Sequence, residues 1–426
     1  MNSPDHTSPS EHRAMRHEVR LRRRIMRAAA AGSAIGVKDA LRQYLCSHNA
    51  KLAATFEARK RMPEHERPPK SKVPEIAGKI DPWKGTDEEV QLWWKPKLAL
   101  GQFRPILSFG IENRALQILV LRALNACAQT HSQQFAGRGG TPAAISQVVE
   151  YLEAGYCHAV ECDISNFFRS FDEEKVPDYL PLPKAVTNNV VIAKNLNIKS
   201  GKKKDNTLGG SSYLVIVPDH LGDGELEGHM GTSQFDTEAA RRGIPQGASS
   251  SPLVAEVLLA PLIDALPGSG AVVNYGDNFL LLAKDANDVV AMSNILGKLL
   301  TKHPAGPLEP SYTFYQPGDV ITFLGYAIHG HGSKLKVTPS QPNVEKFRDN
   351  FRSKVKWIKK AKMSKKRKRK LLQSLKNYVT NWTAAFPKWE GAEGHRKKYH
   401  AKVRALTKEL GVNVSPALSK FFSLPH

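Results

Sequence analysis

The feature that most constrains this chain is a polar tetrapeptide, Tyr275-Gly276-Asp277-Asn278, set between two runs of strand-forming apolar residues. The runs are Ala271-Val272-Val273 before it and Phe279-Leu280-Leu281-Leu282 after it. A strand that stops at a Gly-Asp pair and then resumes predicts a β-hairpin with the polar residues at its tip. Such a tip lifts the Asp277 carboxylate out of a buried sheet and holds it rigidly, although Gly-Asp-Asn is also ordinary turn chemistry.

Two other segments precede this hairpin in a fixed order. The stretch from His158 to Asp163 alternates in polarity like a strand and ends at an aspartate, and adjacent aromatic residues follow it in a predicted turn or helix start. The stretch Arg242-Gly243-Ile244-Pro245-Gln246-Gly247 leads into an apolar, helix-like segment from Val254 to Leu266. Glycine and proline there suit a backbone that approaches a ligand closely before a helix begins.

This ordered set resembles the catalytic core of reverse transcriptases, most closely the bacterial and group II intron-like branch with its stand-alone, defence-associated enzymes. The resemblance continues in Phe323-Leu324-Gly325-Tyr326, which is similar to the primer-grip turn of that family. Segments that contain Arg104 and Arg114, together with the stretch from Phe135 to Thr141, are similar to its fingers motifs. The segment from Leu375 to Trp382 is similar to its thumb helix, so the resemblance covers roughly residues 95 to 390.

The resemblance implies an α+β right-hand polymerase fold with fingers, palm and thumb. The palm would be a split βαβ antiparallel sheet on which Asp163 and the hairpin meet. The expected parts are a basic helical N-terminal extension and linker over residues 1–80, fingers over 81–157, a palm over 158–338 with an insertion at about 173–242, and a basic helical thumb over 339–426.

The activity that the resemblance implies is RNA-directed DNA polymerisation, an in-line displacement at phosphorus that depends on positioning and charge neutralisation. Asp163 and Asp277 are the expected ligands of two Mg²⁺ ions, for which Mn²⁺ could substitute, and the Ile164 carbonyl is a further candidate oxygen. Asn278 is counted with the catalytic turn, although most of the family has a second aspartate there. Taken singly, each aspartate could equally be a helix cap or a turn former.

The resemblance also assigns nucleotide-binding roles. Phe168 is expected to exclude a ribose 2′-hydroxyl and so to favour dNTPs, and Gln246-Gly247 to lie under the incoming nucleotide pair. Arg104 and Arg114 are candidates for the triphosphate because a guanidinium matches phosphate geometry, and each could equally form a structural ion pair. The remaining predicted site residues are Tyr275 and Gly276 in the motif turn and Leu324 and Gly325 in the primer grip.

The charge of the chain indicates a polyanionic partner. The sequence carries 62 basic against 40 acidic residues, a net charge of +22, which predicts salt-sensitive binding. Fourteen of the 25 residues from Lys346 to Lys370 are Lys or Arg, while Lys365 to Lys370 could be a solvated run in a loop. The apolar stripe expected to pack this helix consists of Phe347, Phe351, Val355 and Ile358, and the lysines expected to track phosphates are Lys354, Lys356, Lys359 and Lys360.

The expected partners are a dedicated, structured non-coding RNA as template, the nascent DNA and dNTPs. The basic cluster from Arg20 to Arg24, in a predicted N-terminal helical region, would suit such an RNA. The four cysteines form no C-x-x-C pair and are typical of a reducing cytosol. No apolar run approaches the roughly 18 residues of a membrane span, so a cytoplasmic protein without membrane contact is predicted.

Two alternatives stay open. Asn278, in place of a second acidic residue, leaves room for a weakened or inactive palm-fold protein that binds RNA as a chaperone. The other alternative is an RNA-dependent RNA polymerase, which a compact residue at position 168 would have favoured and Phe168 does not.

Overall fold

The computed structural model describes residues 8–96, 103–200, 237–330 and 335–412. About half of the predicted insertion at 173–242 and the last residues of the predicted thumb lie outside these ranges. The described strands are β1 Val90–Pro96, β2 Phe103–Ser108, β3 His158–Ser165, β4 Ile198–Ser200, β5 Ala271–Tyr275, β6 Asn278–Ala283, β7 Glu309–Tyr315, β8 Ile321–Phe323, β9 Tyr326–His329 and β10 Lys336–Pro339.

Helices make up most of the rest of the described chain. They span Pro9–Ala30, Ala34–Cys46, His48–Arg61, Val73–Lys79, Ile111–Cys127, Gly140–Glu153, Phe167–Ser170, Val176–Tyr179, Lys184–Val186, Thr237–Ala240, Ser251–Asp264, Ala286–Thr301, Gln341–Lys360, Lys365–Ala384 and Ala392–Glu409, with 3-10 turns at Glu64–Glu66 and Lys70–Lys72 and a π-helical turn at Thr187–Val191. The α+β class expected from the sequence is confirmed.

The N-terminal helices begin where serine side chains can cap them. Ser8, Ser33 and Ser47 each accept a hydrogen bond from a backbone N–H in the first turn of the following helix, which satisfies a donor that the helix itself leaves unpaired. These N-terminal helices form a bundle that packs its apolar side against the helix Ile111–Cys127. The sequence predicts a helix in this place, from about residue 113.

The central sheet has the strand order β5-β6-β3-β7, and each neighbouring pair is antiparallel. In sequence, β3 leads through the helix Ser251–Asp264 to β5, β5 and β6 form a hairpin, and the helix Ala286–Thr301 leads to β7. Strands β3 and β5 therefore run parallel with β6 between them, which is the split βαβ arrangement. Both faces are covered: one by these two helices and Ile111–Cys127, the other by the helix Gly140–Glu153 and strands β8 and β9.

Two smaller sheets flank this one. Strand β1 pairs antiparallel with β2 and parallel with β4, and β9 lies between β8 and β10. Within the described ranges, no helix combines the length and the apolar character needed to cross a bilayer.

Three C-terminal helices, Gln341–Lys360, Lys365–Ala384 and Ala392–Glu409, share a separate core, and we call them the C-terminal bundle. Phe347 lies at its centre, with ring centroids 4.3 Å from Trp382 and 5.4 Å from Tyr378. The predicted apolar stripe faces this core, since Phe347, Phe351 and Ile358 are buried and Val355 packs against them. The expectation of a loop at Lys365 to Lys370 was wrong: Ser364 caps a helix that begins at Lys365.

We expect Phe347→Ala to lower the free energy of unfolding by about 3–5 kcal/mol, because a ring that is 1% exposed leaves a cavity among other rings. Trp357, on the same helix, is 48% exposed, so Trp357→Ala should change that free energy by no more than about 0.5 kcal/mol. Urea unfolding of both variants beside the wild type measures the difference. Equal losses would contradict the packing described for the C-terminal bundle.

Candidate active site

The hairpin predicted at residues 275–278 is present and has a two-residue turn. Tyr275 pairs with Asn278, which leaves Gly276 and Asp277 as the turn residues. Gly276 has φ of 62°, whereas Asp277 is not among the residues with positive φ. A turn with positive φ only at its first central position is of type II′, which favours glycine at that position and matches the twist of the flanking strands.

The register of β3 against β6 places the two predicted catalytic aspartates side by side. Asp163 lies opposite Asn278 in the ladder, and the Ile164 N–H donates to the Asp277 carbonyl at 3.3 Å. Because the N–H and C=O of one strand residue point to the same side, the Ile164 carbonyl also faces the hairpin. The structure thus brings Asp163, Ile164, Asp277 and Asn278 to one end of the sheet.

The electrostatics of this end are those of a strained carboxylate pair. Burial raises the pKa of the Asp277 carboxyl, and the negative charge of Asp163 raises it further. Three smaller influences oppose this shift: a hydrogen bond from the backbone N–H of Asp277, the bond that the Asn278 side chain donates to Asp277 Oδ1 at 2.9 Å, and the charge of Arg104 on β2. The two carboxylates therefore make this end of the sheet acidic.

This donor set fits a hard divalent cation. The described part of the chain has no cluster of three or more His, Cys, Asp or Glu residues that could hold a metal by themselves. Two carboxylates and a backbone carbonyl instead offer oxygen ligands only, which suits an ion such as Mg²⁺ that retains waters and substrate phosphates in its coordination sphere.

A buried asparagine that sequence reasoning missed supports the turn from below. Asn274 is fully buried, and its Nδ2 donates to the carbonyls of Gly276 at 3.0 Å and Asn278 at 3.2 Å. Its backbone carbonyl accepts from the Phe135 N–H at 3.0 Å, which joins the hairpin to the segment from Phe135 to Thr141. The sequence does contain a signal for this role, a single Asn at the end of an apolar strand. A polar side chain buried there requires hydrogen-bond partners.

A second missed residue is Glu256, an acidic side chain within the apolar helix Ser251–Asp264. Its Oε1 accepts from the Gly137 N–H at 3.0 Å, and a Cβ on Gly137 would lie 2.7 Å from Oε2. Burial raises the pKa of this carboxyl, while hydrogen bonds from the backbone at Gly137 and Ala136 oppose the shift. Glu256 therefore fixes the glycine-rich predicted fingers segment to the helix that follows Gln246.

The segment from Gly243 to Gly247 connects the other predicted nucleotide residues through close backbone contacts. The Ile244 N–H donates to the Phe168 carbonyl at 2.8 Å, and the Leu107 N–H on β2 donates to the Gln246 carbonyl at 2.9 Å. A Cβ on Gly243 would lie 2.3 Å from the Phe168 oxygen, and one on Gly247 would lie 2.5 Å from the Leu107 oxygen. Glycine is therefore required sterically at both positions.

The adjacent aromatic residues after β3 have different environments. Phe167 is buried in the core, whereas Phe168 is half-buried, and their ring centroids lie 5.1 Å apart. The main chain between them and β3 turns at Asn166, which adopts φ of 50°. This turn places Phe168 beside the Gly243–Gly247 segment, on the side of the sheet that β2 also approaches.

The two predicted phosphate-binding arginines lie in different surroundings. Arg104 is exposed on β2. Its charge partly opposes the rise in the pKa of Asp277, so it lies within electrostatic reach of that carboxylate. Arg114 instead donates from Nε to the Phe109 carbonyl at 2.7 Å, and burial lowers its pKa. The described contacts of Arg114 are those of a structural residue and do not include either aspartate.

The predicted primer-grip residues form a second tight turn. Leu324 has φ of 48° and Gly325 has φ of 82°, the positive pair that a type I′ turn requires between β8 and β9. The Gly325 carbonyl accepts from the Ser340 N–H at 2.9 Å and from Asn343 Nδ2 at 3.0 Å. The turn is thereby fixed to the start of the C-terminal bundle.

The four predicted nucleic-acid lysines, Lys354, Lys356, Lys359 and Lys360, are all exposed on the helix Gln341–Lys360. Lys354 Nζ lies over the Tyr378 ring at 5.6 Å from its centroid, and Lys359 pairs with Glu409 at 2.7 Å. They lie on the outer side of the C-terminal bundle, away from its core.

Comparison with known proteins gives structural neighbours at low identity. No protein-family model matches the chain, and no curated protein sequence matches it. Among solved structures, the chain is similar to apo telomerase from Candida tropicalis truncated from its C-terminal domain, at 10% identity and a TM-score of 0.35, over 60% of this chain and 56% of that one. It is also similar to telomerase from Candida albicans in complex with a TWJ fragment of telomeric RNA, at 12% identity and a TM-score of 0.36, over 78% of this chain and 67% of that one.

The chain thus spans just over half the length of the first of these neighbours. Neither neighbour connects the chain to the bacterial or group II intron-like branch, which stays a prediction from the motifs. Both TM-scores are below 0.5, so the function proposed below rests on the geometry of the central sheet.

We expect Gly243→Ala to destabilise the protein more than Gly276→Ala, although both glycines have φ of 62°. The Gly276 Cβ would have open space, so only the backbone cost of a side chain at positive φ, about 1–3 kcal/mol, applies. At Gly243 the Phe168 and Phe171 carbonyls obstruct the Cβ, which should add about 1–3 kcal/mol. Urea unfolding of the two variants measures this difference, and equal losses would show that the Gly243 contact is not as close as described.

Proposed function

We propose that this chain is an RNA-directed DNA polymerase that adds dNTPs to a primer end on a structured RNA template. The observation that carries the proposal is the β3–β6 register, which sets Asp163 beside the Asp277 turn on a split βαβ sheet. In this proposal residues 158–338 act as palm, 81–157 as fingers and 339–426 as thumb, with 1–80 as an N-terminal extension.

Asp163 and Asp277, with the Ile164 carbonyl, would hold two divalent Mg²⁺ ions, and Mn²⁺ is an alternative. When bound, such ions activate the primer hydroxyl and neutralise charge on the phosphates. The support from the chain itself is the pair of adjacent carboxylates whose mutual repulsion, together with burial, raises the pKa of Asp277. Asn278 keeps one Asp277 oxygen oriented through its hydrogen bond.

The remaining residues of the site would position the nucleotide. Arg104 would bind the triphosphate, since its charge already reaches Asp277 across the gap between β2 and the hairpin. Gln246 and Gly247 would lie under the nucleotide pair, where the Gln246 carbonyl accepts a hydrogen bond from the Leu107 N–H. Phe168 would select dNTPs. Arg114 remains a weaker candidate for the triphosphate because Phe109 already accepts its Nε–H.

The partners in this proposal are a structured RNA template and the growing DNA. A net charge of +22 supports a polyanionic partner but does not distinguish catalysis from binding. A non-catalytic RNA-binding protein is the second candidate, because Asn278 lowers the charge of the turn and donates a hydrogen bond to Asp277 Oδ1. A cytoplasmic role in phage defence stays a prediction from the motif resemblance alone.

Primer extension on an RNA template with Mg²⁺ or Mn²⁺ tests the proposal. We expect incorporation of dNTPs in preference to rNTPs. Asp163→Ala and Asp277→Ala should each slow extension on the order of 1,000-fold, about 4 kcal/mol in the barrier, because each removes a carboxylate ligand of the ions that would neutralise the reacting phosphates. Asp319→Ala, an exposed aspartate in the turn before β8, is the matched control and should extend at the wild-type rate.

The other outcomes of this experiment separate the alternatives. RNA binding without any extension would favour the non-catalytic protein, and incorporation of rNTPs alone would favour an RNA-dependent RNA polymerase. Full extension by either aspartate variant would remove that residue from the metal site.

The raised pKa of Asp277 predicts how stability depends on pH. A carboxyl whose pKa is higher in the folded than in the unfolded protein binds more protons when folded, so the free energy of unfolding falls as the pH rises through that interval. We therefore expect the wild type to lose stability relative to Asp277→Asn as the pH is raised from about 4, the ordinary pKa of an aspartate, towards neutral. At the upper end of this pH range, Mg²⁺ should raise the free energy of unfolding of the wild type more than that of Asp277→Asn.

Thermal unfolding across this pH range, with and without Mg²⁺, measures both effects. A difference between the two proteins that stays constant with pH would mean that Asp277 is not strained in the folded state. Equal effects of Mg²⁺ on the wild type and on Asp277→Asn would argue against a cation at this carboxylate.

A further inference from the structure

The first helix, Pro9–Ala30, presents six arginines on one side. At about 100° per residue, the six fall within an arc of about 100°, and all of them are exposed. From the first to the last, the row extends about 21 Å along the helix axis. We call this row the arginine face, and it consists of Arg13, Arg16, Arg20, Arg23, Arg24 and Arg27.

The opposite side of the same helix is buried and fixes how the helix is rotated. Ala14, Leu21 and Ile25 are buried and line the side that faces the rest of the bundle. The arc of these three residues is centred roughly 130° from the centre of the arginine face. Because these apolar contacts would be lost if the helix turned about its axis, the arginines are held pointing outwards.

The two acidic residues of this helix, Glu11 and Glu18, are also turned inwards. Glu11 pairs with Lys60 at 2.5 Å, while Glu18 accepts from the Tyr44 hydroxyl at 3.1 Å and lies 3.8 Å from Arg122. Both carboxylates are almost completely buried. The acidic residues of the helix therefore neutralise groups beneath it and leave the arginine face positive.

Within the described part of the chain, the side chains of the face have few partners. Arg24 donates to Gln43 at 3.2 Å, and Arg22, which lies on another side of the helix, is the arginine that approaches Glu18, at 3.5 Å. No ion pair to the other five members occurs among the described residues. Such a row of uncompensated guanidinium groups repels itself unless an anion lies against it.

The composition of the face selects among anionic partners. Guanidinium groups bind phosphate with two donors, and a row of six of them suits a partner that carries a continuous line of phosphates. The helix contains no Phe, Tyr or Trp on which unpaired bases could stack, which argues against a single strand. The main apolar side of this first helix is buried against the other N-terminal helices, so that side is not free to insert into a bilayer.

We propose that the arginine face binds the phosphate backbone of an RNA duplex, outside the site formed by Asp163 and Asp277. A row of about 21 Å is long enough to contact several phosphates of a duplex. That the duplex is RNA, and belongs to the template molecule, rests on the proposed function. The positive surface itself does not depend on it.

Binding of a fluorescent RNA hairpin, followed by anisotropy over a range of salt concentrations, tests this inference. We expect Arg16→Gln/Arg20→Gln to weaken binding by about 10- to 100-fold at 0.1 M salt and to reduce the slope of log K against log salt by about 2, since two phosphate contacts are lost. The matched control is Lys298→Gln/Lys302→Gln, which removes the same charge from exposed positions at the end of another helix. It should change the affinity less than about threefold and leave the slope within about 0.5.

Three further arms identify the partner. A single-stranded RNA of equal length and vesicles of anionic lipid should each show no greater loss with the arginine variant than with the lysine control. A DNA duplex that loses affinity equally would assign the face to duplexes in general and overturn its assignment to RNA. Equal losses of hairpin binding in the two double variants would overturn the inference altogether, as would a loss confined to the vesicles.

Hairpin binding measured without divalent ions or dNTPs separates this inference from the proposed function. The arginine variant should lose affinity under these conditions whether or not the wild type extends primers, because the arginine face and the two carboxylates lie on different elements. Circular dichroism of both double variants verifies folding. Arg16→Lys/Arg20→Lys should recover the salt slope but only part of the affinity, since lysine keeps the charge and loses the second donor.

Discussion

The pairing of β3 with β6 is the interaction on which the candidate active site depends. Val160, Cys162 and Ile164 enter one core layer from β3, and Phe279 and Leu281 enter the same layer from β6. A shift of one residue would turn each of these side chains to the opposite face, so the register is strongly fixed. The position of Asp163 beside the Asp277 turn follows from apolar packing several residues away from either carboxylate.

This packing allows the end of the central sheet to hold two neighbouring carboxylates, Asp163 and Asp277, whose repulsion is unfavourable for folding. Two adjacent carboxylates, one of them largely removed from water, destabilise the fold unless the backbone around them is over-determined. Asn274 supplies part of that support, because its amide satisfies two carbonyls of the hairpin, and Glu256 adds more by anchoring Gly137. Buried polar groups of this kind rigidify a site when each has its partner.

Local patterns in the sequence were sufficient to predict the strands and helices that form the site. They were insufficient to predict the buried polar contacts that hold the site in place. The hairpin at 275–278 could be predicted because an apolar run interrupted by Gly-Asp has few other solutions, and the helical stripe from Phe347 to Ile358 because its period is that of a helix. The bonds from Phe135 to the Asn274 carbonyl and from Gly137 to Glu256 span more than 100 residues, so no local pattern shows them. Arg114 was indistinguishable from Arg104 in sequence because its bond to the Phe109 carbonyl depends on the backbone geometry at the start of the helix Ile111–Cys127, which residue types alone do not show.

Two positively charged surfaces of the described chain differ in chemistry. The arginine face has planar donors and no aromatic residue, whereas the C-terminal bundle combines exposed lysines with an exposed Trp357 and a lysine placed over Tyr378. Bases that are free to stack would therefore gain more at the C-terminal bundle, and a closed duplex, which offers only its backbone, would gain more at the arginine face. In the proposed function this difference would orient a folded template, since its paired and unpaired parts would bind to different ends of the chain.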